Sequence, residues 1–235
     1  MSTPPVLVAC ETSGQITQRL VKMGIDAVSC DVLPSDDLSR SNHIVCDARE
    51  LVREPWGMVI AHPPCTFLAN SGVRWLYEKE GRWDDMKEGA KFFLDMLNAN
   101  APLVAVENPV MHKHALEIIG CKHSFSMQPY EHGDPRTKRT CWWTKGLPKI
   151  SPTNPCTKEE LDKARASKEF QEVWRATPSP DRWKIRSRTY DGIADAVASV
   201  WGNFFLSNLG PPESQVGERK EDLPEQLQLP LSEPL

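Results

Sequence analysis

A chain of 235 residues that is 40% hydrophobic and 26% charged can bury one sizeable α/β core and has no room for a second large domain. Its seven cysteines are odd in number and include no C-x-x-C pair, which argues against a disulfide-stapled secreted domain and for a reducing cytoplasm. No stretch approaches the ~18 apolar residues of a membrane span, and the N-terminus has no basic region ahead of an apolar run, so no membrane role is expected.

In chain order, Pro5 to Cys10 reads as a strand, Glu11-Thr12-Ser13-Gly14 as a tight polar turn, and Gln15 to Met23 as a helix with Ile16, Leu20 and Met23 on one face. A second strand, Ala27 to Cys30, ends at Asp31, and a short third, His43 to Cys46, ends at Asp47. Residues 59–72, V-I-A-H-P-P-C-T-F-L-A-N-S-G, then run an apolar strand into Pro63-Pro64-Cys65 and a polar, Gly-ended loop. After one helix-like segment, L-V-A-V-E-N-P (103–109) closes another β-branched run on Glu107-Asn108. Strand, loop and helix alternate, with chemistry at the strand ends. The expected fold is α/β, a mostly parallel sheet with helices on both faces. Ligands of such open sheets sit at the carboxyl ends of the strands, so Cys65 and Glu107 face one pocket if their strands are neighbours. Asp31, about 20 residues past the start of the glycine turn, suits the ribose hydroxyls of a nucleotide.

Gly133 to Thr140 is a basic turn carrying Arg136, Lys138 and Arg139 ahead of the apolar Cys141-Trp142-Trp143. Net charge is −4, but it is unevenly spread: residues 1–135 hold 12 basic and 18 acidic side chains, whereas residues 136–188 hold 14 basic and 6 acidic. Arg182, Lys184, Arg186 and Arg188 interleave there with Trp174 and Trp183, a composition suited to a nucleic-acid surface. Within that stretch Thr157 to Glu160 reads as a capping box and Glu159 to Lys163 as a helix ion pair, so residues 158–172 are expected to be a solvated helix. A last helix starts near Tyr190, with Ile193, Val197, Val200 and Phe204 on one stripe. His112, His114, Cys121 and His123 have ligand chemistry but no zinc-finger spacing, and no metal is expected. From Gly210 the composition turns to Glu, Gln, Pro and Ser, the signature of a disordered tail over 210–235.

The Pro-Pro-Cys after one strand and the Glu-Asn after the next resemble the catalytic motifs of the S-adenosylmethionine-dependent cytosine-5 DNA methyltransferases, in a short, phage-like form. The resemblance covers roughly residues 6–145, with an echo near 188–205. It implies a Rossmann-like methyltransferase domain over 4–209, with a reduced, basic recognition region at about 146–188. By the same resemblance Cys65 is the nucleophile that adds to carbon 6 of cytosine, and Glu107 is the acid at ring nitrogen 3. Arg136 and Lys138 hold the flipped base and the cysteine loop, where the family has Gln-x-Arg-x-Arg. The cofactor S-adenosylmethionine falls to Glu11, Gly14, Asp31, Asp47 (at the adenine amino group) and Pro63, and the DNA to Pro64, Arg74, Asn108, Arg186 and Arg188. The first loop departs from the family, with one glycine and no aromatic residue in E-T-S-G. A free cytidine nucleotide as substrate, or a non-catalytic nucleic-acid-binding protein on the same fold, are the alternatives. Finally, Gln226-Leu227-Gln228-Leu229-Pro230-Leu231 resembles the peptides by which bacterial proteins bind the replication sliding clamp, making the clamp a candidate partner of the tail through Gln226, Leu227, Leu229 and Leu231.

Overall fold

The computed structural model describes residues 4–167, 169–171, 173, 186, 187 and 189–209. Among them, seven strands form one sheet: β1 (Val6–Ala9), β2 (Ala27–Asp31), β3 (His43–Val45), β4 (Met58–Ala61), β5 (Leu103–Pro109), β6 (Phe125–Met127) and β7 (Thr140–Lys145). Their order is β3-β2-β1-β4-β5-β7-β6. The first five are parallel to one another, and β7 runs antiparallel between β5 and β6. This is the Rossmann-like α/β arrangement expected from the sequence.

The reason lies in the strand composition. A strand covered on both faces reads as a continuous apolar run, and β1, β4 and the start of β5 are such runs, buried throughout. Alternate side chains serve opposite layers. Leu7, Ala9, Val59, Ala61, Val104 and Val106 pack with the helices α2 (Ala48–Leu51), α4 (Arg82–Leu97) and α5 (Lys113–Ile119). Val6, Val8, Met58, Ile60, Leu103 and Ala105 pack with α1 (Gln15–Lys22) and α7 (Asp191–Leu209). Two further helices, α3 (Trp75–Glu78) and α6 (Lys158–Ser167), lie in the connections after β4 and β7.

Two details differ from the sequence reading. The most deeply buried residues of α7 are Ala194, Ala196, Val197, Trp201 and Phe205, while Val200 and Phe204 are half-buried. The stripe is rotated because α7 packs on the sheet and beside α1 at once, with Arg19 of α1 paired to Asp191 and Asp195. On α6 the capping box forms as expected, with Thr157 N donating to Glu160 Oε2 at 2.7 Å, but the ion pair joins Asp162 to Arg165 at 2.9 Å. The Trp174, Arg182, Trp183, Lys184 and Arg188 positions, and the whole of 210–235 with its candidate clamp peptide, lie outside the described residues.

The start of α7 is held by a close backbone approach. Gly192 N donates to Asp134 Oδ2 at 3.0 Å, and a Cβ at this position would meet His132 O at 1.7 Å. Alanine is ordinarily better in a helix by about 1 kcal/mol; here it meets backbone. Gly192→Ala is therefore expected to destabilise the fold by about 1–3 kcal/mol, seen as a lower midpoint in thermal or urea unfolding. A raised midpoint would contradict this packing.

Candidate active site

Strands β4 and β5 are parallel neighbours, with Ala61 opposite Val106. Cys65 lies four residues past the end of one and Glu107 one residue past Val106 on the other, so both emerge at the same edge of the sheet. Asn108, fully buried, ties the two connections together by donating from Nδ2 to Pro63 O at 3.1 Å. Proline at 63 supplies a fixed turn and a carbonyl and requires no ladder donor. Pro64 is exposed and Cys65 half-buried.

The loop after Cys65 is fastened at several points. Leu68 N and Ala69 N both donate to Cys65 O, at 3.1 and 2.9 Å, and Asn70 N donates to Val110 O at 2.8 Å. His112, 2% exposed, bridges it to α5: its Nδ1 accepts from Ala115 N at 3.1 Å, which leaves Nε2 to donate to Phe67 O at 3.0 Å. Burial keeps this imidazole below its ordinary pKa, in agreement with the neutral tautomer those two bonds require. His114 belongs to the neighbouring surface, with Nε2 2.8 Å from the Tyr77 hydroxyl.

Four ionisable groups converge at the mouth of this loop. Burial pushes the Cys65 thiol above its ordinary 9.0, the Glu107 carboxylate pushes it the same way, and Lys138 and Arg186 pull it down. Lys138 is itself depressed by burial, with Glu107 and Cys65 opposing and Arg186 adding to the depression. Arg186 reaches the cysteine loop directly, Nη2 to Ser71 Oγ at 3.4 Å. Arg136 lies with its guanidinium 5.8 Å from the centre of the Tyr190 ring, and Arg74 is stacked on Trp75 at 4.3 Å. Among the described residues, the cations that act on Cys65 are thus Lys138 and Arg186. A resting thiol in this setting is protonated, and its ionisation depends on the balance between one carboxylate and two cations.

The other half of the candidate site lies at the ends of β1 to β3. Glu11 is buried, and its carboxylate caps α1 by accepting from Ile16 N at 2.7 Å and from the Thr17 hydroxyl, where the helix dipole favours a negative charge. What it presents to a ligand is backbone. Cys10 adopts a left-handed φ of 59° and Gly14 one of 67°. The Arg40 guanidinium lies across Gly14, where a Cβ would meet Nη1 at 2.1 Å, and it donates to Thr12 O at 3.2 Å and Ser29 Oγ at 2.6 Å. Asp31 accepts from Leu33 N at 2.9 Å and is followed by an exposed apolar side chain, Val32, at 69%. Asp47 is the N-cap of α2 and is paired with Arg49 at 2.6 Å, which holds its carboxyl below the ordinary range.

One site residue escaped the sequence reading. His62, directly before Pro63, brings Nδ1 to 3.5 Å from Glu107 Oε2. The signal available was a titratable residue one position past the β4 run, obscured by the Pro-Pro that follows it.

No family model matches the chain, and no curated protein is similar to it. Among solved structures, one similar chain is a prophage-encoded E. coli protein provisionally described as a DNA modification methyltransferase, with a TM-score of 0.44 and 13% identity over 75% of this chain and 56% of that one. This chain spans just over half of that protein's length. The functional reading therefore rests on the geometry of the site.

The coupling of the four groups has a direct readout. Alkylation of Cys65 by iodoacetamide, followed by peptide mass spectrometry, should accelerate with pH towards a midpoint above 9.0. Glu107→Gln should lower that midpoint and Lys138→Met should raise it. A midpoint that moves with neither substitution would show that the groups act independently.

Proposed function

We propose that this chain transfers a methyl group from S-adenosylmethionine to carbon 5 of cytosine in DNA, through a transient covalent bond from Cys65. The observation that carries the reading is the pairing of a half-buried thiol with a carboxyl group across adjacent parallel strands, with two cations beside them.

Carbon 5 of cytosine is a weak nucleophile. As the sulfur of Cys65 adds to carbon 6 its proton passes to the Glu107 carboxylate, and Glu107 hands that proton to ring nitrogen 3 as charge develops there, so that electron density rises at carbon 5. Lys138 and Arg186 favour the thiolate form of Cys65 at the moment of attack. After the methyl group is in place and the proton on carbon 5 is lost to solvent water, the sulfur leaves carbon 6 as a thiolate, and the proton on nitrogen 3 returns through Glu107 to the sulfur. Reaching a base stacked in a duplex requires its extrusion, and the fastened loop over Phe67–Asn70 holds the thiol still for that encounter.

For the donor, the residues present fit at three points and depart at a fourth. The turn after Cys10, which has a left-handed φ, turns backbone towards the site with Arg40 already lying across Gly14, Asp31 offers a carboxylate at the end of β2, and the exposed Val32 offers an apolar surface for a purine ring. Asp47 is already engaged by Arg49, so the amino group of the adenine depends on rearrangement of that pair or on backbone. When bound there, S-adenosylmethionine supplies the electrophilic methyl group.

A second reading, modification of a free cytidine nucleotide, is favoured by the shortness of the segment between β7 and α7, residues 146–190, in which α6 carries Glu159, Glu160 and Asp162 against Lys158, Lys163 and Arg165. Incubation with labelled S-adenosylmethionine and either duplex DNA or dCMP separates the two. The expected product is 5-methylcytosine in DNA, lost by a factor of roughly 10³ or more with Cys65→Ser. Label in dCMP alone would transfer the reading to the nucleotide. Absence of label from both, with no cofactor binding by calorimetry, would leave a non-catalytic nucleic-acid-binding protein.

A further inference from the structure

Across the middle of the sheet, on the face covered by α7, three side chains from adjacent strands stand in a row. Ala61 of β4 lies opposite Val106 of β5, so the next residues, His62 and Glu107, are lateral neighbours. Glu107 is in turn opposite Trp142 of β7. Side chains alternate along a strand: Ile60 and Ala105 belong to the α7 layer, as does Trp142, and His62 and Glu107 fall in the same phase. The backbone of His62 is still in the ladder, its amide donating to Ala9 O at 3.0 Å. It is therefore the last side chain of this connection whose direction the sheet dictates, since Pro63 begins the turn.

The contacts around His62 are few and specific. Nδ1 is 3.5 Å from Glu107 Oε2, and the side chains are only 13% and 18% exposed. The imidazole meets the fully buried Trp142 edge to face, with centroids 5.8 Å apart, and Trp142 meets Trp201 of α7 the same way at 5.0 Å. Among the described residues His62 Nε2 is buried with no hydrogen-bond partner, and the ring's polar contact is that of Nδ1 with Glu107 Oε2. His62, Glu107, Lys138, Trp142 and Tyr190 line one recess.

We propose that His62 is a positioning residue for Glu107. Resting on the methyl-transfer reading, its function is to hold one carboxyl oxygen through Nδ1–H so that the other faces the cytosine ring, while the Trp142–Trp201 stack holds the imidazole from behind. A carboxyl group on a three-bond stem next to two cations, Lys138 and Arg186, would otherwise rotate towards them. Fixing it to the histidine keeps the acid in line with nitrogen 3 and limits how far the carboxylate offsets the cations at Cys65.

A double-mutant cycle tests this without relying on methyl transfer. The rate of Cys65 alkylation at fixed pH is measured in the full chain for wild type, Glu107→Gln, His62→Ala and the pair, with His62→Asn as the conservative variant and thermal unfolding as the control for folding. If His62 positions Glu107, the effect of Glu107→Gln on that rate differs by roughly threefold or more between the wild-type and His62→Ala backgrounds. The His62→Asn background should behave as wild type, because its amide can still donate to the carboxylate. Effects that multiply independently to within about twofold in both backgrounds would overturn the proposal, whatever the protein's activity. In the labelled transfer assay the same variants should split kcat from KM: His62→Ala lowers kcat by about 10–100-fold with KM nearly unchanged, and His62→Asn recovers most of it. A wild-type protein that transfers no methyl group would refute the methyl-transfer reading, while the cycle would still decide the role of His62.

Discussion

The in-register parallel pairing of β4 with β5 is the constraint on which the rest of the site depends. Both strands are buried at their centres, and a slip of one residue would move every apolar side chain of a strand to the opposite layer. Ala61 is accordingly fixed opposite Val106, and everything past those two residues inherits its position. The amide of Asn108 then reaches back to Pro63 O, so the turn carrying the thiol is tied to the strand carrying the carboxylate. Chemistry at the edge of the sheet is positioned by hydrophobic packing in its middle.

What this frame holds together is a poised but unreactive centre. Burial and Glu107 keep the Cys65 proton in place, and Lys138 and Arg186 work against them. Protonation or hydrogen bonding of Glu107 removes one of the two restraints, so a ligand that engages the carboxyl group also makes the thiol easier to ionise. In a region of low dielectric such couplings are stronger than at the surface. If the chain acts as proposed, an unreactive thiol in the absence of substrate and its ionisation on contact with the base follow from the same four groups.

The strands of this fold were legible in the sequence because a doubly covered strand is an unbroken apolar run, and the candidate site residues stood out because they interrupt such runs at their ends. Cys65, Glu107, Asp31 and Asp47 were all found that way. The limits are equally physical. Which cation serves the thiol depends on contacts between segments more than a hundred residues apart, so Arg186 at Ser71 carries no local signal, and Arg74, nearer to Cys65 in sequence and expected at the DNA, stacks on Trp75. Asp47 is legible as an acid at a strand end, but its pairing with Arg49 follows from α2 starting at that point. His62 was hidden because its meaning comes from β5 and β7, the strands beside it, and the rotated stripe of α7 because it faces a helix as well as the sheet.

The central claim is that the sulfur of Cys65 becomes bonded to the cytosine ring. Duplex DNA carrying 5-fluorocytosine lacks the proton on carbon 5 whose loss would release the enzyme, so the covalent adduct should persist once the methyl group has been delivered. Peptide mass spectrometry after incubation with that DNA and S-adenosylmethionine is the most direct measurement. The account predicts a nucleotide adduct with one added methyl group on the peptide containing Cys65. Methylation of ordinary DNA with no adduct on the fluorinated duplex, or an adduct on any other cysteine, would contradict it.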